Sequence, residues 1–365
     1  MLRMEKLIRI VKDYGDPVVI TNPTMYPFSG IDRVAYEQAK KLLSLGFDVK
    51  IVTFENLFNA QDVKISEIRL FSGGLLSFKP ILKIIAPFIP RVVREFERET
   101  RHAKVIIAHH YPMTALASVL KSKRRKDIVY VYYNHGNAPT KCFYTISEKL
   151  YQQILILLTK MTTLKADYVF SVSKYLAMEY EKLTGKKSDV IYNEVDERFK
   201  KAKAYNGSTI RRKLGISEDD VVLLYVGRIV PYKGVHELIE AYKIVKDKGH
   251  ENVKLLIVGK EYFEWYSKKL KKIADNGVIF YGVARDEDMP YIFAASDIYV
   301  TASHWEGYDL PAAEAQTMGK PVVAYAIGAH PEVVKYGSLV REGDIKAFAE
   351  EIVRWIEIIK RKKRN

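Results

Sequence analysis

Short apolar runs and longer amphipathic ones alternate along the chain. In the second half, Val221 to Gly227, Val253 to Gly259, Val278 to Val283, Asp297 to Ser303 and Pro321 to Ala326 are rich in Val, Ile, Leu and Tyr. Such near-continuous apolarity predicts strands buried on both faces. Gly234 to Lys248 places Val235, Leu238, Ile239, Tyr242 and Val245 on one helical face, with Gly249 set to end the helix. The first half repeats the grammar. Its predicted strands are Pro17 to Thr21, Phe47 to Phe54, Ala103 to His109, Ile128 to His135 and Tyr168 to Ser173, and its helices include Ile31 to Leu45 and Thr145 to Lys165. The expected fold class is α/β, two Rossmann-like doubly wound parallel-sheet domains. Such sheets bind ligands at the carboxyl ends of their strands, so two of them facing across a cleft would line it with strand-to-helix loops. The expected boundaries are 1–186, 187–345 and a terminal helix over 346–365.

A chain of 365 residues is long enough for two such cores. Its net charge of +15 sits mainly in the first half, where residues 1–200 carry 32 Lys plus Arg against 21 Asp plus Glu. Neither basic runs interleaved with aromatics nor zinc-finger spacings occur, so no nucleic-acid partner is expected. Cys142 is the single cysteine, which rules out an internal disulfide. With no apolar stretch approaching about 20 residues and a charged opening segment, a cytoplasmic protein is expected. Phe78 to Arg98 and Met1 to Lys12 combine apolar and basic positions; they suit either packing on the first sheet or peripheral association with the inner membrane face.

Two segments concentrate chemistry. Gly227-Arg228-Ile229-Val230-Pro231-Tyr232-Lys233-Gly234 joins a strand to a helix. Two fixed cations and a helix N-terminus in one small volume favour an anion, and a diphosphate fits them naturally. In Ser303-His304-Trp305-Glu306-Gly307-Tyr308-Asp309-Leu310-Pro311-Ala312-Ala313-Glu314, Glu306 lies in a turn and Glu314 inside the helix expected to begin near Pro311. Carboxylates beside a phosphate site suit a ligand rich in hydroxyls, from which they accept charge-assisted hydrogen bonds. The histidines offer no convincing metal-ligand spacing with a carboxylate, and no metal is expected. Neither half has a complete dinucleotide fingerprint, so no cofactor is expected either.

Taken in order, these segments resemble the donor domain of the retaining glycosyltransferases of family four (glycosyl transferases group 1), which have the GT-B fold. The resemblance runs from Tyr225-Val226-Gly227-Arg228 through Lys233-Gly234-Val235, Leu256-Ile257-Val258-Gly259, Phe280-Tyr281-Gly282, Ser296-Asp297-Ile298 and Glu306-Gly307-Tyr308 to Glu314-Ala315. It continues through Gly319-Lys320-Pro321-Val322-Val323-Ala324 and Gly328-Ala329-His330-Pro331-Glu332-Val333. In the first half it is carried by Ser29-Gly30, Leu45-Gly46-Phe47-Asp48-Val49, Asn134-His135-Gly136, Ala166-Asp167-Tyr168, Ser171-Val172-Ser173 and Val190-Ile191-Tyr192-Asn193.

The resemblance implies transfer of a sugar from a nucleotide-sugar, UDP-, GDP- or ADP-linked, to a carbohydrate or lipid-linked acceptor hydroxyl, with retention and without a metal. Arg228, Lys233 and Gly30 would hold the diphosphate. Glu314 would accept from the ribose, and Glu306 with Gly307, Tyr308, Asp309 and Leu310 would address the sugar. His135 would sit near the reacting carbon, unless it is an ordinary histidine satisfied at a strand end; His109-His110 is an acceptor-side candidate. This chain departs from the family pattern, which has glycine where Ser29, Glu194 and Asp309 stand. A carboxylate at 309 would change the choice of sugar or repel the diphosphate. A nucleotide-sugar epimerase on the same fold and an inactive sugar-nucleotide-binding protein are the rival readings.

Overall fold

The computed structural model describes residues 4–26, 29–58, 61–69, 84–124, 127–201 and 204–364. It divides into two compact units, Met1–Thr140 with Thr145–Asn193 and Lys141–Tyr144 with Glu194–Asn365. The division follows Asn193, not residue 186. The reason is a short strand, β9 (Asp189–Val190), which pairs with β8 (Tyr168–Ser171) and keeps that stretch in the first unit.

The other strands of the first unit are β1 (Val18–Thr21), β2 (Thr24–Met25), β3 (Val49–Thr53), β4 (Glu55–Asn56), β5 (Lys64–Glu67), β6 (Val105–Ala108) and β7 (Val129–Asn134). Seven form one parallel sheet in the order β5-β3-β1-β6-β7-β8-β9, and β2 pairs with β4 separately. The strand order reverses between β1 and β6, the place where a doubly wound sheet opens a ligand crevice. Helices Gly30–Ser44 and Ile146–Thr163 match the amphipathic runs closely. Of the Phe78 to Arg98 segment, residues 78–83 lie outside the described residues. Further along, the helix Pro90–Glu99 buries Val92 and Phe96, and near the start of the chain Glu5–Tyr14 buries Leu7, Ile10 and Val11. Those apolar positions therefore serve the core.

In the second unit β10 (Val221–Val226), β11 (Val253–Val258), β12 (Val278–Gly282), β13 (Ile298–Thr301), β14 (Val322–Tyr325) and β15 (Gly337–Val340) form a parallel sheet in the order β12-β11-β10-β13-β14-β15. Here the order reverses between β10 and β13. The loops leaving those two strands are Gly227–Gly234 and Ala302–Asp309, the two segments singled out by their chemistry.

The terminal helix Ile345–Arg364, which the resemblance implies would cross back to the first domain, is part of the second unit. It packs within the second unit, on the helix Val235–Asp247 and on β14 and β15, and it adds Phe348, Ala349, Ile352, Trp355 and Ile356 to that core. The Trp355 indole donates to Ser338 Oγ at 2.9 Å. Deleting residues 350–365 is therefore expected to destabilise the second unit, at about 1.5–3 kcal/mol for each large apolar side chain removed from the core. Circular-dichroism melts of the full and shortened chains check this, and an unchanged melt would contradict the packing.

Candidate functional site

The two loops at the second unit's switch point are brought together by glycine. Gly234 has φ +65°, and a Cβ there would stand 2.0 Å from the Ala302 carbonyl oxygen, so only glycine lets the start of the helix Val235–Asp247 lie against the end of β13. Across this junction the Lys233 ammonium forms an ion pair with Glu306. Burial alone would lower the Lys233 pKa; Glu306 outweighs it and raises the pKa, so the lysine stays charged. Lys233 and Arg228 both lie over the Tyr232 ring, at 5.6 and 5.8 Å, and Arg228 also donates to the Tyr232 hydroxyl. Arg228 remains exposed. The ring thus holds two cations at one helix N-terminus.

Asp309 does something the sequence reading did not foresee. It is the only non-glycine residue with positive φ among the described residues, at +69°, and it is buried. Its Oδ1 accepts from the Ala312 N–H at 3.1 Å, making Asp309 the N-cap of the helix Leu310–Thr317, with Pro311 in the first turn. Its Oδ2 faces His330 Nε2 at 2.9 Å, while His330 Nδ1 faces the Tyr325 carbonyl at 2.7 Å. A carboxylate and a carbonyl only accept, so an ionised Asp309 requires both ring nitrogens to carry protons and His330 to be an imidazolium. Burial would lower the His330 pKa, but the hydrogen bond and charge of Asp309 outweigh it and raise the pKa; on Asp309 burial is likewise outweighed, by His330, and its pKa falls. The approach depends on Gly328, where a Cβ would stand 2.3 Å from the Glu306 carbonyl oxygen.

Glu314, on the same helix, is buried. Burial first, and then the charges of Asp309, Glu306 and Glu314 together with Tyr225, push the Tyr299 phenol well above its usual pKa. Those three carboxylates therefore surround one neighbourhood. Gly307 is buried, Tyr308 half-buried, and Leu310 opens the helix. Behind the site, His304 lies between Glu237 at 2.5 Å and Glu342 at 2.8 Å, and these hydrogen bonds raise its pKa.

Glu306, Asp309 and His330 offer three ligand atoms within 4.8 Å of one another. A divalent ion there would have to displace the Nε2 proton of His330 and sit beside the Lys233 ammonium, so the charge pattern favours an anion or hydroxyls. The expectation that the chain has no Asp-x-Asp spacing is wrong, since Asp286-Glu287-Asp288 is one. Asp286 pairs with Arg198 at 3.6 Å and Asp288 with Arg285 at 3.0 Å, in the turn before the helix Met289–Ala295.

Gly30 and His135 belong to the first unit. Gly30 is the first residue of its helix, and a Cβ there would have no neighbour within 4 Å among the described residues. Beside it, buried Asp32 accepts from Asn22 Nδ2 and the Tyr26 N–H, both at 2.7 Å, and burial pushes its pKa up to about 6. His135 follows β7 and joins a buried chain: its Nε2 lies 2.8 Å from His109 Nδ1, and His109 Nε2 lies 3.1 Å from Gln38 Oε1. Burial lowers the His109 pKa to about 3 and that of His135 well below its usual value, so both rings are neutral. The orientation of the Gln38 amide decides which way the protons run and which tautomer His135 presents. His110 lies at the edge of this chain, its ring tilted by 33° and 5.7 Å from that of His135.

Residues 28–199 match the family model Glycosyltransferase Family 4, and residues 207–365 match Glycosyl transferases group 1. The chain is 31% identical over 140 residues to O-antigen chain mannosyltransferase B of Escherichia coli, covering 37% of this chain and 36% of that one. To the capsular polysaccharide biosynthesis glycosyltransferase CapM of Staphylococcus aureus it is 33% identical over 170 residues, 43% of this chain and 42% of the other. The match thus spans less than half the length of these two relatives. The structure of Anabaena HepE in complex with UDP and glucose is similar in fold, with a TM-score of 0.75 at 21% identity, covering 94% of this chain and 90% of that one. With two successive family models accounting for both units and the same architecture throughout, the chain belongs to the group 1, family 4 glycosyltransferases and has their GT-B fold.

Proposed function

We propose that the protein transfers a sugar from a nucleoside diphosphate donor to an acceptor hydroxyl with retention and without a metal. The observation that carries this reading is the placement of Arg228 and Lys233 at the β10–β13 switch point, at a helix N-terminus and beside the Glu306 carboxylate. In this reading the diphosphate lies on Arg228 and Lys233, the ribose on Glu314, and the sugar against Glu306 and the turn through Gly307, Tyr308, Asp309 and Leu310. As the bond from the anomeric carbon to the diphosphate oxygen breaks, negative charge grows on that oxygen, and the two cations stabilise it where other enzymes use a divalent ion. The acceptor oxygen bonds to the carbon from the same face, and its proton leaves with the diphosphate. A neutral, weakly basic His135 suits a hydrogen-bonding role better than that of a proton acceptor. The names of the relatives above, which speak of an O-antigen chain and a capsular polysaccharide, support an acceptor in glycan synthesis, and a lipid-linked acceptor belongs to the same proposal.

The test is a thermal-shift series with UDP-, GDP- and ADP-sugars. A donor at about a hundred times its Kd adds about 2.7 kcal/mol to the apparent stability, a shift of several degrees. The donor that binds is then incubated with candidate acceptors and a chelator, and the anomeric configuration of the glycoside is read by NMR. Binding with retained configuration is the expected result. Loss of turnover in chelator, or an epimerised sugar without a glycoside, would overturn it.

A further inference from the structure

The helix Ile146–Thr163 is built inside out. Its buried residues are Gln152, Thr159 and Thr163, whereas Ile146 (86% exposed), Leu150, Leu157 (54%), Met161 and, just past its end, Leu164 face outward among the described residues. Their spacing follows the helical repeat, and half-buried Ile154 falls on the same line, so they form one continuous apolar stripe. The orientation is held from within by polar contacts. Gln152 Nε2 donates to the Ala138 carbonyl at 2.7 Å, the Thr162 and Thr114 hydroxyls meet at 3.1 Å, and the Tyr180 hydroxyl donates to Thr163 Oγ1 at 3.1 Å. A Thr145–Glu148 capping box fixes the first turn. Rolling the helix to hide its stripe would unpair those buried groups, and each unpaired group costs more than an ordinary hydrogen bond contributes.

The stripe has an apolar neighbour and a basic rim. Both this helix and the turn Ala86–Phe88 pack on the helix Met113–Arg124, and the turn presents Phe88 (71% exposed) beside exposed Ile85. Lys149 and Lys160, about three turns apart, run along one edge of the stripe, and Lys165 follows its end. Residues 84–165 hold 14 Lys plus Arg against 5 Asp plus Glu, most of the whole chain's positive excess. We infer that the outward face of Ile146–Thr163, with Ile85 and Phe88, docks the first unit on an anionic lipid bilayer. The helix lies on the surface and does not cross it, since no helix among the described residues is long and apolar enough to span a membrane. A second copy fits less well. The antiparallel pairing that sets Ile146 against Leu164 of that copy also brings Lys149 beside its Lys160, a like-charge contact that an anionic surface turns into attraction.

The test uses the full chain without nucleotide and is thus independent of the donor reading. Co-sedimentation is measured with vesicles of phosphatidylcholine alone and with phosphatidylglycerol added. Binding to the anionic vesicles only, weakening as salt is raised, is expected. The triple variant Leu150→Ser/Leu157→Ser/Met161→Ser should lower partitioning by about tenfold or more, and Lys149→Gln/Lys160→Gln by roughly fivefold per lysine. Both variants should keep the parent melting temperature. Three results would overturn the inference: undiminished vesicle binding by the triple variant, a steep fall in its melting temperature, which would mean that the stripe is covered within the chain, or a dimer of the parent that the triple variant abolishes.

Discussion

His330→Ala is expected to destabilise the second unit by about 3–5 kcal/mol, because it leaves the Asp309 carboxylate buried with its counter-charge gone. At about 2–4 °C per kcal/mol for a unit of this size, the melting temperature should fall by roughly 6–20 °C. The double variant Asp309→Gly/His330→Leu should recover most of the loss. It removes both charges, relieves the positive φ at 309, and fills the histidine's place with an apolar group, so no buried charge is left unpaired. A double-mutant cycle by thermal melts, with Asp309→Gly and His330→Leu as its single variants, measures the coupling, and additive single effects would show that the pair is not a unit. The pH dependence has a definite sign. The His330 pKa is raised above 6.5, so its contribution is complete below pH 6.5 and is lost as pH rises through the folded value. The Asp309 pKa is lowered below 3.8, so its contribution is complete above pH 3.8 and is lost as pH falls through the folded value. The gap between parent and His330→Ala should therefore be widest from about pH 4 to 6.5 and should narrow toward alkaline pH.

The same pair shows where sequence reading stops. Strands β10, β11, β13 and β14 are legible because burial on both faces demands unbroken apolar runs. By contrast β5, with half its residues exposed, and β9, two residues long, carry no such run; they exist because an edge offers a partner. The loop Gly227–Gly234 is legible because its cations and its glycine are contiguous. His330 lies in a recognisable segment, yet its partner lies 21 residues away, and only the approach permitted at Gly328 puts the two side chains together. Asp309 reads as a liability beside a diphosphate until its cap and its imidazolium are seen. The terminal helix teaches a further point: an amphipathic pattern states that a face is covered but not what covers it. In Ile146–Thr163 even that inference fails, because the hydrogen-bonded face is the one turned inward.

Arg228 and Glu306 should separate binding of the nucleotide from turnover of the sugar. Arg228→Ala is expected to weaken binding of free nucleoside diphosphate by about 1.5–3 kcal/mol, the range for a hydrogen bond to a charged group, or roughly ten- to a hundredfold. Transfer should slow as well, since the diphosphate gains charge as the bond breaks. Glu306→Gln removes the carboxylate that now neutralises Lys233. Free nucleoside diphosphate should then bind as well as before or more tightly, because the lysine is released toward the phosphates, while turnover falls and the unit loses some stability through a buried ammonium without its counter-ion. This opposition is sharper than two separate contacts would produce, because the ion pair lets Glu306 govern Lys233 in addition to its proposed contact with hydroxyls. Calorimetry with nucleoside diphosphate and a transfer assay on the same variants decide the matter. Equal weakening of nucleoside diphosphate binding in both would show that Glu306 belongs to the phosphate site, and normal binding with normal transfer in both would show that the site lies elsewhere.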